Sequence, residues 1–149
     1  MLLNDGQIAL NEVIIALKDA ASRYNDAADV THDFGLVTLF QAIERKHRHM
    51  AEELEEHIRQ TGALPREPDA DRETLAGLFT RLKTMLSGDE QLTLLQEQAR
   101  AEEEIAARIG EAIAESLPDE TLSLLRQFHG DVSATRQHLA AVAARLSKD

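Results

Sequence analysis

The 149-residue sequence has no cysteine and no tryptophan, and its aromatic residues are one tyrosine and four phenylalanines. Without cysteine there is no disulfide framework, no iron–sulfur cluster and no thiol nucleophile. With so few aromatic rings the core must be aliphatic, and a core of Leu, Ile, Val and Ala favours helices over sheets. Positive charge is also short. Lys and Arg number 16 against 27 Asp and Glu, for a net charge of −11. That balance argues against non-specific binding to nucleic acid or to an anionic membrane surface, since both need basic patches. No apolar run approaches the roughly 18 residues of a membrane span, and no basic segment with an apolar core opens the chain. Gly35, Gly77, Gly110 and Gly130 are isolated, so no glycine-rich phosphate loop is present, and no serine–histidine–acid set stands out. The expectation is one cytoplasmic domain over residues 1–149, large enough to bury a core unaided.

What the sequence does have is helical periodicity. From about Asn4 to Asp29, Leu10, Val13, Ile14, Leu17, Ala20, Ala21, Tyr24 and Ala28 recur every three or four residues, which predicts an amphipathic helix. Ile8 and Ile15 fall on its opposite face, either as isolated surface residues or as a second contact surface for another segment or subunit. Thr31, His32 and Asp33 make a short polar turn, and Thr31 or Asp33 suits the N-cap of a second helix. That helix has an inward seam of Leu36, Phe40, Ile43, His47, Met50, Leu54 and His57 and stops at Gly62. A shorter helix is predicted between Asp71 and Ser87, a third long one from about Asp89 to Ser116, and a fourth from Pro118 to near Ser147. The short first turn makes helices one and two antiparallel neighbours, whereas the long connection between helices two and three fits a bundle with a single crossover. The predicted fold is therefore all-α: a ferritin-like four-helix bundle with a long crossover between helices two and three that contains a short extra helix.

One motif stands out in helix two. Glu44-Arg45-Lys46-His47 carries a glutamate three residues before a histidine, the ligand pair of di-metal carboxylate bundles. On a wheel of 100° per residue, His47 centres the inward face and Glu44 lies about 60° to one side. On helix three, Gln98 and Glu102 interrupt the inward stripe of Leu94, Ala101, Ile105, Ile109 and Ala112, which makes Glu102 the candidate ligand there. On helix one the residues level with Glu44 are Leu17, Ala20 and Ala21, while Asp19 points away. On helix four there is no Glu-x-x-His; Asp131 lies to the flank and Arg136 faces inward. His49-x-x-x-Glu53 has hemerythrin-like spacing, but His49 points outward and no histidine occurs between His57 and His129.

The order of these elements, with Leu10-Asn11-Glu12, Lys18-Asp19 through Ala27-Ala28, Met50-Ala51-Glu52-Glu53-Leu54, Ser116-Leu117-Pro118 and Leu125-Arg126-Gln127, resembles a group of uncharacterised bacterial four-helix-bundle proteins. That group is classed as a domain of unknown function within the ferritin-like superfamily. The resemblance implies the ferritin-like fold and no assigned activity. It also implies that relatives commonly carry an acid at the position of Ala21 and a histidine at that of Arg136.

A full di-metal site needs about six ligands, and Glu44, His47 and Glu102 are the three on offer. Arg136 would set a fixed positive charge where a dication should sit. The expectation is a degenerate site, a polar cluster of Glu44, His47, Gln98, Glu102 and Arg136 whose charges satisfy one another without metal, or else a set of solvated residues at the bundle edge; a single-metal or partial site is the remaining reading. Function is then expected to be that of a non-catalytic binding or structural module without cofactor that acts through self-association as a homo-oligomer, and not as a partner of nucleic acid or membrane. The alternative is an iron- or manganese-dependent oxidoreductase or iron-handling protein using Glu44, His47 and Glu102.

Overall fold

The computed structural model describes residues 4–65 and 88–148. Among the described residues the chain forms four helices and no strand: α1 (Asp5–Val30), α2 (Phe34–Gln60), α3 (Gly88–Ile113) and α4 (Asp119–Ser147). The predicted short helix between Asp71 and Ser87 lies outside the described residues. No described helix is long and apolar enough to cross a membrane.

The helix ends follow from local chemistry. Asn4 caps α1 reciprocally with Gln7: the Gln7 amide donates to Asn4 Oδ1 at 2.8 Å and the Asn4 amide to Gln7 Oε1 at 3.0 Å. Asp33, one of the two expected caps, accepts the Leu36 amide at 2.9 Å at the start of α2. Beyond α2, Gly62 takes φ +85°, a left-handed conformation that other residues adopt at a cost. Pro118 caps α4, and Asp119 and Glu120 in its first turn complement the helix dipole. Helix α3 stops at Ile113, three residues before the expected Ser116.

Contacts at the helix ends fix the directions. Gln7 at the start of α1 donates from Nε2 to Thr61 Oγ1 at the end of α2, at 3.0 Å. Gly6 lies close to the turn after α3: a Cβ there would lie 3.0 Å from Leu117 Cδ2 and 3.1 Å from the Ser116 carbonyl oxygen, so a larger residue would make its neighbours give way by a few tenths of an ångström. His57 near the end of α2 hydrogen-bonds through Nδ1 to Thr121 Oγ1 at the start of α4, at 2.8 Å. Thus α1 runs antiparallel to α2 and α3, and α4 antiparallel to α2. The seams α1–α2, α1–α3 and α3–α4 are closely packed, whereas α2 and α4 touch much less. Helices α2 and α3 are parallel and face each other across the diagonal, so the chain leaves α2 at one end of the bundle and enters α3 at the other.

The core is aliphatic as the composition demands. Leu10, Ile14, Leu17, Leu54, Ile58, Leu95, Ile105, Ile109, Leu125 and Leu139 are fully buried, each contributing roughly 1.5–3 kcal/mol of transfer free energy. The outward pair on α1 is divided: Ile8 is 47 % exposed, but Ile15 only 4 %. They therefore do not form a joint exposed patch.

Candidate functional site

Three helices bring polar side chains to the centre of this apolar core. Tyr24 from α1, His47 from α2 and both Gln98 and Glu102 from α3 are all fully buried. Glu102 is the hub. Its Oε1 accepts the Tyr24 hydroxyl at 2.7 Å and lies 2.6 Å from His47 Nε2. With Oε1 accepting from the Tyr24 hydroxyl, the His47 contact to the same oxygen fits the tautomer that carries its proton on Nε2. Tyr24 also holds the ring of His47 edge-on, with centroids 5.7 Å apart at 76°, and leans on Phe40 at 5.9 Å.

Burial, then the charge of Glu102 and the hydrogen bond to it, push the Tyr24 hydroxyl far above its ordinary range. Tyr24 is therefore a fixed donor, not an acid–base group, at neutral pH. Several buried polar atoms here have no partner among the described residues: Glu102 Oε2, His47 Nδ1, and both the oxygen and nitrogen of the Gln98 amide. Gln98 lies one turn before Glu102 on the same face of α3.

The structure brings together His47, Gln98 and Glu102 from the expected cluster, but not Glu44 or Arg136. Glu44 stays on the flank of α2 and bonds Arg48 Nε at 3.0 Å, one turn along its own helix. Arg136 is exposed on α4, with Nη1 3.6 Å from Glu103 Oε1 on α3. Each residue sits well off the centre of its helix's inward stripe, and a long side chain there reaches solvent more cheaply than a dry core. The two flanks are also different ones. Arg136 turns toward α3, whereas Glu44 lies on the side of α2 where Glu55, three turns on, pairs with Lys18 of α1 at 3.1 Å. The residues that α4 buries in the core are apolar apart from Thr121: Leu125, Phe128, Val132 and Leu139.

Tyr24 is the participant that periodicity alone did not single out, since it fitted the apolar seam of α1. A buried phenol needs an acceptor, and that requirement was the available signal. The remaining histidines stand apart from the cluster. His49 pairs with Glu53 at 2.7 Å on the surface, His57 bonds Thr121, and His32, His129 and His138 are exposed.

The donor set does not fit a pair of metal ions. Such a centre takes a carboxylate from each of two helices and a Glu-x-x-His from each of the others. Here one carboxylate and one imidazole converge, and among the described residues no three His, Asp or Glu side chains are placed to share an ion. A groove of about 450 Å³ runs along the α1–α3 flank over Ala16, Ala20 and Ala101. Two of its arginines are engaged by neighbouring acids, Arg100 with Glu97 and Arg108 with Glu104.

Comparison with curated proteins gives no match, and comparison with solved structures gives none either. The profile of one protein family, described as Domain of unknown function (DUF2383), matches residues 7–115. That span takes in α1, α2 and α3, and with them Tyr24, Glu44, His47, Gln98 and Glu102, but not Arg136. With most of its length matched, this chain belongs to the DUF2383 family of domains of unknown function.

Proposed function

We propose that the protein is a ferritin-like bundle serving as a non-catalytic structural or binding module that acts through self-association. The parallel α2 and α3 across the diagonal, the antiparallel neighbours, and entry into α3 at the end opposite the exit from α2 support the ferritin-like assignment. The single observation that carries the functional reading is the double engagement of Glu102 Oε1 by Tyr24 and His47. Oε1 of the carboxylate, bonded by a phenol and an imidazole, is satisfied by protein groups, and in this reading the polar centre closes the bundle without an ion. In this reading the cluster is a degenerate metal site that now fixes the register of α1, α2 and α3.

A second reading is an iron- or manganese-using oxidoreductase or an iron-handling protein. The buried atoms that lack partners among the described residues favour it: Glu102 Oε2, His47 Nδ1 and the Gln98 amide. Metal analysis of protein isolated without chelator separates the two. The structural reading expects iron and manganese far below one atom per chain, with no rise in melting temperature when either is added. Near-stoichiometric iron or manganese that disappears in Glu102→Gln and in His47→Ala would establish the second reading instead.

A further inference from the structure

The exposed apolar surface that stands out lies far from the buried centre, where the start of α2 meets the end of α4. Phe34, the first residue of α2, is 83 % exposed. Beside it the loosely packed α2–α4 seam opens into a groove of about 410 Å³, floored by Leu36, Leu39, Val142 and Leu146. Asp33 and Arg145 flank this groove. Neither makes an ion pair with a described residue, although Asp33 uses Oδ1 to cap α2.

We propose that this surface binds a second copy of the chain, the Phe34 ring of each copy entering the α2–α4 groove of the other about a two-fold axis. The proposal rests on the self-association reading above and assigns it a place. Charge carries the choice of partner. A chain of net charge −11 repels its own copy over most of its surface. This patch, with one acid and one guanidinium at its edges, is balanced and matches itself: a two-fold axis sets Asp33 of each copy toward Arg145 of the other. A large aromatic anchor beside an apolar slot, with charged groups at the rim, is the usual composition of an interface centre. Ile8, the exposed one of the two outward residues on α1, finds no exposed apolar partner in Ile15, which is buried.

Sedimentation velocity of the full chain across a rising concentration series, at near-physiological salt to screen the net charge, tests this assignment. The wild type should show a monomer–dimer equilibrium. Phe34→Ser should weaken it roughly tenfold or more, with circular dichroism unchanged. Arg145→Glu should weaken it too, by placing like charges together. Adding Asp33→Asn to that variant should recover part of the loss, because asparagine keeps the α2 cap and removes the repelling charge. A dimer that Phe34→Ser leaves intact, whether or not Ile8→Ser disperses it, overturns this surface alone. A wild type that stays monomeric throughout overturns both the surface and the self-association reading.

Discussion

Glu102 and Glu44 are the same residue type and occupy the same middle level of the bundle, yet they meet opposite fates. Glu102 is fully buried and bonded by groups from two other helices, whereas Glu44 bonds an arginine of its own helix at the surface. The wheel position alone does not separate them, since both lie off the centre of an inward stripe. What separates them is the facing helix. Glu102 meets Tyr24 and His47, which offer two donors inside the core; Glu44 looks along a flank where Lys18 of α1 already pairs with Glu55. A carboxylate stays in a dry interior only where donors await it.

The contrast can be broken most forcefully at its buried end. Glu102→Ala leaves a phenol and an imidazole without their acceptor and should destabilise the fold by about 3–5 kcal/mol, read by urea denaturation. A loss below about 1 kcal/mol would mean that the carboxylate is solvated in solution. Tyr24→Phe keeps the ring and removes one donor to a charged acceptor, so a loss of about 1.5–3 kcal/mol is expected.

The same tyrosine gives a pH test with a defined sign. The folded state raises its hydroxyl above the ordinary value of about 10, so the stability it contributes is complete below that pH and is lost as the pH climbs past it. Because Tyr24 is the one tyrosine in the chain, phenolate absorbance reports it without ambiguity. That absorbance should rise only together with loss of helical circular dichroism. Titration near pH 10 with helicity intact would place the hydroxyl in contact with water.

The smallest effects are expected at the surface. Glu44→Ala and Arg136→Leu remove partly or largely exposed ion pairs, which solvent and salt weaken, and each should change stability by no more than about 0.5 kcal/mol. If Arg136→Leu instead cost as much as Glu102→Ala, Arg136 would belong to the polar centre after all.

Much of this fold is legible in the periodicity. The inward residues read for the first helix, from Leu10 to Ala28, are all buried, as are Leu94, Ala101, Ile105, Ile109 and Ala112 on α3. The caps were legible because Asp33 and Pro118 carry their helix-starting chemistry locally. The site was only partly legible. His47 and Glu102 are buried where spacing put them, His47 because it centres an apolar stripe and Glu102 because the facing helices offer it donors. Arg136 and Glu44 read as inward because a wheel measures direction but not reach, and a flexible side chain on a flank chooses water. Ile15 shows the converse: it reads as an outward residue of an isolated helix, yet it is buried in the folded chain.

By itself, then, the sequence determined that four amphipathic helices form, where they are capped, and which stripes face inward, because those properties depend on residues within a few turns of one another. Only the tertiary structure decided which of the inward polar groups meet. The bond from Tyr24 to Glu102 joins residues 78 apart, and that from His47 to Glu102 joins residues 55 apart. Such pairings depend on the level and rotation of whole helices packed together, and a shift of one turn would give Glu102 a different set of partners.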